Sequence, residues 1–186
     1  MSYGDKSLPF PRASTYFQGG AVDTNKDLTT VIGCVREVPD TVHGTGTKVK
    51  LRAVKNASGS AITIARKFYK FDTGALDLGR EIKGLNNVAG GLCKPMDDAY
   101  TVGNTIAAGD VFWVVESGYC YGVTEASSVN LAAGDAIASD ASGLVNGARA
   151  AAGEYSPATI TVASTTKGET VVLLVNDGLV NAEAAG

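Results

Sequence analysis

The sequence predicts an all-β protein, a compact β-barrel or β-sandwich domain of short strands with an extended N-terminal arm. Residues 47–55 alternate between polar and apolar side chains, and a period of two is typical of a half-buried strand. Residues 111–115 are β-branched and aromatic, and residues 158–162 alternate again, both between turn-forming residues. The chain has 23 glycines but 5 prolines in 186 residues, which favours many tight turns within a folded domain.

Residues 1–45 are predicted to form the extended arm and a linking strand. Phe10 lies between two prolines, which exclude a regular helix and favour extended backbone around it. Phe10, Tyr16 and Phe17 need a surface on which to bury, and a neighbouring subunit would provide one. An ordinary flexible terminus is the alternative that the residues leave open. The apolar-rich run 28–38 is the expected linking strand.

A β-rich domain is predicted over residues 46–180, with a short C-terminal tail at 181–186. A turn is expected at 56–59, because Asn, Ser and Gly favour tight turns. The next two runs, 61–65 and 67–71, are expected to continue from that turn as a hairpin or meander.

The first strand of this domain carries a basic face. In the run 47–55, Lys48, Lys50 and Arg52 fall on one side, and the alternate apolar residues fall on the other. The apolar side is expected to face the core, which leaves the basic side for solvent or for a partner.

A short segment occurs twice in the second half of the chain. Residues 106–110 and 131–135 share the pattern apolar-Ala-Ala-Gly-Asp, and each is followed at the same distance by Ser-Gly. Gly permits the positive φ of a tight turn, and Asp can bond to its own turn backbone. Because one turn is used twice, we interpret Asp110 and Asp135 as structural rather than catalytic.

The remaining strands are expected to be short. The run 111–115 is predicted to end at the turn residues Ser117 and Gly118, and a separate strand is predicted over 119–124. The continuous apolar run 171–175 is expected to be the last strand of the domain.

Few residues suggest metal binding or nucleophilic catalysis. The single histidine, His43, stands in a stretch rich in Gly and Thr, which is typical of a solvated loop. Cys34, Cys93 and Cys120 form no C-x-x-C pair, and one histidine does not complete a zinc site with them. We expect buried thiols in a reducing compartment, with Cys34 and Cys120 at core or strand positions, and no metal or cofactor.

The acidic residues indicate no catalytic pair. A glycosidase needs two carboxylates that flank the sugar, and Glu116 and Glu125 are candidates that no sequence pattern pairs. The adjacent Asp97 and Asp98 indicate a solvated loop or the first turn of a helix. We therefore expect that the protein is not an enzyme.

Charge is distributed unevenly along the chain. Residues 1–83 carry 13 Lys and Arg and 8 Asp and Glu, whereas residues 84–186 carry 3 and 11. Such polarity favours oriented contact between copies or docking on an acidic surface. An alternative function is a binding module in which the basic face around Lys48, Lys50 and Arg52 holds a polyanion or single-stranded nucleic acid. The overall pI of about 5.1 argues against that alternative.

Three stretches of the sequence resemble the head decoration (cement) proteins of tailed bacteriophages. Residues 51–63 are similar to a strand, Asn-x-Ser-Gly, strand opening of that group. Residues 106–118 are similar to its segment with an aromatic-Trp and Val-Val core, and residues 131–137 with 142–145 resemble a turn-strand-turn unit of the same proteins. The first 45 residues match no motif of the group.

The resemblance implies a structural protein of the virion that binds the outer surface of the capsid and stabilises the shell. It implies the major capsid protein and further copies of this chain as partners, often in a homotrimer, without catalysis, cofactor or membrane. It also implies synthesis in the host cytoplasm and a final location on the capsid surface. We take six residues as candidates for capsid or subunit contact: Phe10, Tyr16, Phe17, Lys48, Lys50 and Arg52.

Overall fold

A computed structural model describes residues 32–72, 74, 79–85, 93–123, 131–134, 136–139, 142–147, 158–160 and 169–174. These residues form twelve strands and no helix, which confirms the predicted all-β class. No helix within the described ranges is long and apolar enough to cross a membrane. The strands are β1 Val35–Pro39, β2 Lys48–Asn56, β3 Ile62–Thr63, β4 Phe68–Phe71, β5 Glu81–Leu85, β6 Cys93–Pro95, β7 Thr105–Ile106, β8 Val111–Val123, β9 Ala136–Ser139, β10 Val145–Gly147, β11 Ala158–Ile160 and β12 Glu169–Leu174.

Ten of these strands form one large sheet. Its order is β10-β9-β11-β12-β8-β2-β5-β4-β6, and β1 also pairs with β2. The strands β3 and β7 form a separate two-stranded sheet. Since β2 and β8 are the longest strands and pair with each other, they are the centre of the large sheet.

The alternation predicted for β2 is confirmed by its burial. Val49, Leu51 and Ala53 are buried, whereas Lys48 is exposed and Lys50 is half-buried. The strand β1 pairs antiparallel with the first half of β2, and β5 pairs parallel with its last two residues on the same side. The predicted boundary near residue 46 stays a prediction, although β1 is bonded to β2 along its whole length.

The hairpin or meander predicted after β2 is wrong. The turn at 56–59 exists, with Gly59 at a φ of 80°, but β3 leaves it to pair with β7 instead of β2. The strand β4 pairs with β5 and β6. A hairpin would need a free edge of β2, but one edge is bonded to β8 and the other is bonded to β1 and β5.

Asn56 is one of the residues that join the two sheets. Its buried Nδ2 donates to the carbonyl oxygens of Ser60, Ile106 and Ala107 at 2.9, 3.0 and 3.0 Å. Its Oδ1 accepts the Ser58 amide and hydroxyl at 3.0 and 2.7 Å. The turn after β2 and the turn before β8 are therefore held by one amide side chain.

The strand β8 is continuous where the sequence predicted a turn. Lys50 pairs with Ser117 and Leu51 with Val115, so Glu116 is the extra residue of a β-bulge. Gly118 follows the bulge with a φ of 108°, and a Cβ there would lie 3.1 Å from the backbone of Lys48 and Val49. Gly118 is needed because two backbones approach closely, and it does not end the strand.

The repeated turn is confirmed as a structural element where it is described. Gly109 and Gly134 occupy the same position in the two copies, with φ values of 87° and 94°. In the first copy the Asp110 carboxylate accepts the Ala107 amide at 3.2 Å, and Asp110 is buried. Asp135 lies outside the described residues.

Aromatic side chains fill the core between these strands. Tyr69 and Tyr100 are buried with their hydroxyls bonded to backbone: Tyr69 donates to the Thr63 carbonyl at 2.7 Å, and Tyr100 accepts the Trp113 amide at 2.9 Å. Burial raises the pKa of Tyr69 to about 12. The rigid core therefore includes polar groups that are satisfied by the chain itself.

The cysteines only partly match the prediction. Cys93 and Cys120 are buried and form no disulfide, whereas Cys34 is exposed because it precedes β1 outside the core. Burial raises the pKa of the Cys120 thiol well above its usual value.

Candidate functional site

The structure describes half of the predicted contact residues. Lys48, Lys50 and Arg52 lie on β2, whereas the three aromatic residues of the arm lie outside the described residues; these are Phe10, Tyr16 and Phe17. The role of all six in contact with a capsid or a subunit stays a prediction.

Lys48 is the most exposed member of the basic face. Its side chain is 72% exposed, and its Nζ lies 3.4 Å from Glu37 Oε2 on the neighbouring β1. A pair this exposed contributes little to stability, because water and salt screen it. Lys48 is therefore accessible to a partner.

Arg52 is engaged inside the molecule. Its Nε donates to Glu116 Oε2 at 2.7 Å and its Nη2 donates to Glu116 Oε1 at 3.2 Å, which is a bidentate ion pair. Its Nη1 donates to the Gly33 carbonyl at 3.2 Å. Only 18% of the Arg52 side chain is exposed, so this residue ties β2 to β8 rather than presenting a free charge.

Glu116 is buried and is bonded through both its carboxylate and its carbonyl. The carboxylate holds Arg52, and the carbonyl accepts a 2.8 Å bond from Nζ of the buried Lys94 on β6. Burial lowers the pKa of Lys94, and the nearby Glu116 carboxylate opposes that shift only in part. The β-bulge of β8 is thus stabilised by two basic residues. The candidate catalytic pairing with Glu125 is not described, because Glu125 lies outside the described residues.

The second polar cluster is centred on His43, and it corrects the expectation of a solvated loop. Only 3% of the His43 side chain is exposed. Its Nδ1 lies 3.1 Å from Asp40 Oδ1, and its Nε2 lies 3.2 Å from Asp98 Oδ2, at ion-pair distance but outside hydrogen-bond geometry. The imidazole is therefore enclosed between two carboxylates.

Local backbone chemistry sets the Asp40 side of this cluster. The Asp40 Oδ1 accepts the amides of Val42 and His43, and its Oδ2 accepts the Thr45 hydroxyl at 2.6 Å. Asp at the start of a loop commonly accepts amides that follow it. These bonds turn the chain so that the His43 ring comes back against Asp40.

Distant residues supply the other side. The turn after β6 places Asp98 beside His43, where Asp98 Oδ1 accepts Arg66 Nη1 at 2.7 Å and Asp98 Oδ2 accepts the Tyr121 amide at 2.7 Å. The Arg66 guanidinium also lies 4.8 Å from the centre of the Tyr121 ring. Asp98 is buried, so the expectation of a solvated carboxylate pair at 97–98 is wrong.

The ionisation of this cluster follows from its charges. Burial alone would lower the pKa of His43. The contacts with Asp98 and Asp40 raise it by more than burial lowers it, so the pKa lies above 6.5. Burial alone would raise the pKa of Asp40. The hydrogen bonds from Thr45 and His43 together lower it by more than burial raises it, so the pKa lies below 3.8. The imidazolium and the Asp40 carboxylate therefore stabilise each other.

Sequence reasoning missed both clusters for the same reason. Asp40 and His43 have the spacing of a loop that bonds back on itself, which was a usable signal. The partners Asp98, Arg66 and Glu116 are brought in by strand pairing that no local pattern shows. Within the described ranges, no group of three or more His, Cys, Asp or Glu residues is placed to hold a metal ion.

The comparisons with known proteins are sparse. No protein-family model matches the sequence. No curated protein matches it either. Among solved structures, the chain is similar to the crystal structure of the head fiber gp8.5 N base in bacteriophage phi29, with a TM-score of 0.38 and 11% identity over 72% of this chain and 97% of that chain. A likeness of this degree adds nothing to the assignment of function.

Proposed function

We propose that the protein is a structural component of a phage head that attaches to the outer surface of the capsid and stabilises the shell as a cement or decoration protein. Its partners would be the major capsid protein and further copies of itself, in a homotrimer. The proposal starts from the sequence resemblance of residues 51–63 and 106–118 to that group.

One structural observation carries the proposal. Two of the three stretches that bear the resemblance, residues 51–63 and 106–118, lie far apart in the chain but form one unit in space. Leu51 pairs with Val115 through β2 and β8, and Ile62 pairs with Ile106 through β3 and β7. Asn56 bonds the two intervening turns together. A resemblance that falls on both halves of a single paired unit supports a shared architecture more strongly than two matches in unpaired segments would.

The charged residues of that unit support a mechanical role. Arg52 and Glu116 join β2 to β8 at the centre of the sheet, and Lys94 joins β6 to the same point. Two buried clusters of this kind hold strands and loops in one arrangement. A shell protein needs such a rigid body because it acts through surface contacts that are repeated over many copies. Weak contacts gain avidity when they are repeated in this way.

The uneven charge gives that body an orientation. The first half of the chain carries the excess of basic residues, and the accessible Lys48 belongs to it. Complementary charge across an interface directs encounter and orientation more than it adds affinity. Burial of the arm's aromatic residues on a neighbour would add roughly 25 cal/mol for each Å² of apolar area.

The test is attachment to shells. DNA-free heads assembled from the major capsid protein of the same genome are mixed with the full-length protein and sedimented. We expect saturable co-sedimentation, and native mass spectrometry of the free protein should give a trimer. A protein that stays in the supernatant at every concentration contradicts the proposed function.

A variant that lacks residues 1–20 tests the arm. We expect weaker attachment with an unchanged circular-dichroism spectrum and unfolding midpoint, because the sequence predicts that the arm lies outside the β-rich domain of residues 46–180. Attachment equal to that of the full-length protein would remove the arm from the interface while leaving the rest of the proposal in place.

The polyanion-binding alternative has less support. Of its three basic residues, Arg52 is already bonded to Glu116 and to the Gly33 carbonyl, and Lys48 lies beside Glu37. A platform for nucleic acid needs several charges that can reach phosphates at once. The internal bonds of Arg52 leave fewer charges available on this face.

A further inference from the structure

The loop that connects β1 to β2 contacts the interior of the protein through the ring of His43. This loop, residues 40–47, contains exposed residues on both sides of His43, but the His43 ring itself is turned into the protein. The ring lies 4.7 Å from the Tyr121 ring and 6.4 Å from the Tyr119 ring, measured between centroids. His43 therefore joins an exposed loop to the interior beside β8.

The number of protons on the ring decides whether it presents an N–H to both carboxylates or to only one of them. An imidazolium carries an N–H on each nitrogen, so it can hydrogen-bond to Asp40 through Nδ1 while its Nε2 side forms an ion pair with Asp98. A neutral imidazole carries one N–H, so one of its nitrogens would then present a lone pair to a carboxylate oxygen. In a site that excludes water, that contact is repulsive.

The surrounding charges favour the charged ring. Asp40 faces it from its own loop, and Asp98 faces it from the turn after β6. Arg66, before β4, already binds Asp98 at 2.7 Å, and the buried Cys120 on β8 has a raised pKa that keeps its thiol neutral. With His43 protonated, two cations meet two anions. With His43 neutral, Asp98 keeps its ion pair with Arg66, whereas Asp40 loses its ion pair with the imidazolium.

We propose that His43 is a proton-controlled latch: its imidazolium form holds the β1–β2 loop against the Asp98 turn and β8, and loss of the proton releases the loop. The device is independent of the proposed role on a capsid. It makes the exposed part of the loop rigid below the raised titration midpoint of His43 and loose above it.

The test uses the full-length chain labelled with ¹⁵N and ¹³C. Because His43 is the single histidine, its ring signals are unambiguous. We expect a titration midpoint above 6.5, and we expect cross-relaxation between the His43 and Tyr121 rings below that midpoint and its loss above it. A midpoint at or below 6.5, or ring contact that persists well above the midpoint, overturns the proposal.

Two variants sharpen the result. Asp98→Asn removes one carboxylate and should bring the midpoint down towards 6.5. A fall of one pH unit corresponds to about tenfold weaker binding of the proton. Lys48→Gln is the control, because it removes a charge from the exposed pair with Glu37 and should leave the midpoint unchanged. An equal shift in both variants contradicts a latch built on Asp98. If Asp98→Asn does not fold, the titration of the unmodified chain still decides.

Discussion

Arg52 and Glu116 form a bidentate ion pair between the two central strands, at 2.7 and 3.2 Å, although 64 residues separate them in the sequence. Glu116 can meet Arg52 because it is the extra residue of the β8 bulge. The pair therefore depends on an irregularity of the strand, and it lies where the carboxylate is buried. Removal of one partner leaves the other charge poorly solvated.

Glu116→Gln is expected to lower the free energy of unfolding by roughly 2 to 3 kcal/mol, since it removes a charged partner of Arg52 while keeping the shape of the side chain. Urea denaturation followed by tryptophan fluorescence measures the change. Glu37→Gln is the matched control, because its partner Lys48 is mostly exposed, and a loss below about 1 kcal/mol is expected there. Equal losses in the two variants would show that burial of Glu116 has no energetic weight.

The stability of the protein should depend on pH through His43 and Asp40. The folded-state pKa of His43 is raised, so its stabilisation is complete below the unfolded-state value of about 6.5 and is lost as the pH rises through the folded-state value. The folded-state pKa of Asp40 is lowered, so its stabilisation is present above about 3.8 and is lost as the pH falls through the folded-state value.

Thermal unfolding of the wild type and of His43→Gln between pH 4 and pH 10 measures the first effect. We expect the gap in stability between the two proteins to be widest near pH 5 and to narrow on the alkaline side. A gap that widens with rising pH would contradict the assigned direction of the His43 pKa.

Asn56→Ala should destabilise the protein by roughly 2 to 4 kcal/mol, because it leaves the Ser60, Ile106 and Ala107 carbonyls without the buried donor that joins them. The measurement is the shift of the thermal midpoint. The exposed Asn104 provides the control, and Asn104→Ala is expected to change stability by less than about 0.5 kcal/mol. A small effect at position 56 would mean that the two turns are held by other contacts.

Gly118→Ala should be more destabilising than Gly109→Ala. Both glycines have positive φ, so both variants carry a backbone strain of about 1 to 2 kcal/mol. A Cβ at position 118 also lies 3.1 Å from the backbone of β2, whereas a Cβ at position 109 meets nothing within 4 Å. We expect a difference of about 1 kcal/mol or more by chemical denaturation. Equal losses would remove close packing as the reason for Gly118.

We expect the basic face of β2 to make no measurable contribution to binding of single-stranded DNA. Lys48→Glu with Lys50→Glu tests the polyanion alternative without disturbing the internal pair of Arg52 with Glu116. Fluorescence anisotropy with a labelled oligonucleotide at low salt is expected to give the same signal for the wild type and for the double variant. Tight, salt-sensitive binding that disappears in the double variant would favour the alternative over a structural role.

The local features of the fold were predictable, whereas its pairing was not. The alternation of β2 and the repeated turn before β8 are written in short stretches of sequence, and both are confirmed. The predicted hairpin after β2 failed because β3 pairs with β7, beyond the reach of any local signal. The predicted break at Gly118 failed because the sequence does not distinguish a glycine that ends a strand from one that makes room for a neighbouring backbone.

The candidate site shows the same division. His43 sits among residues that favour a solvated loop, and the local turn of Asp40 is consistent with that interpretation. Its burial comes from Asp98 and Tyr121, which strand pairing brings beside it. A buried charge is recognisable from sequence only when its partner is nearby in the chain. The arm and its aromatic residues stay predictions, since the described residues begin after them.

The pairing of Leu51 with Val115 also bears on how the chain reaches its native state. During synthesis, β2 leaves the ribosome long before β8 does. Until β8 emerges, β2 lacks its long partner strand and its apolar side chains stay exposed. Proteins dominated by such distant contacts fold in milliseconds to seconds rather than microseconds. The nascent chain is therefore exposed to aggregation until more than half of it has emerged, and its yield in a cell should respond to chaperones and to growth temperature.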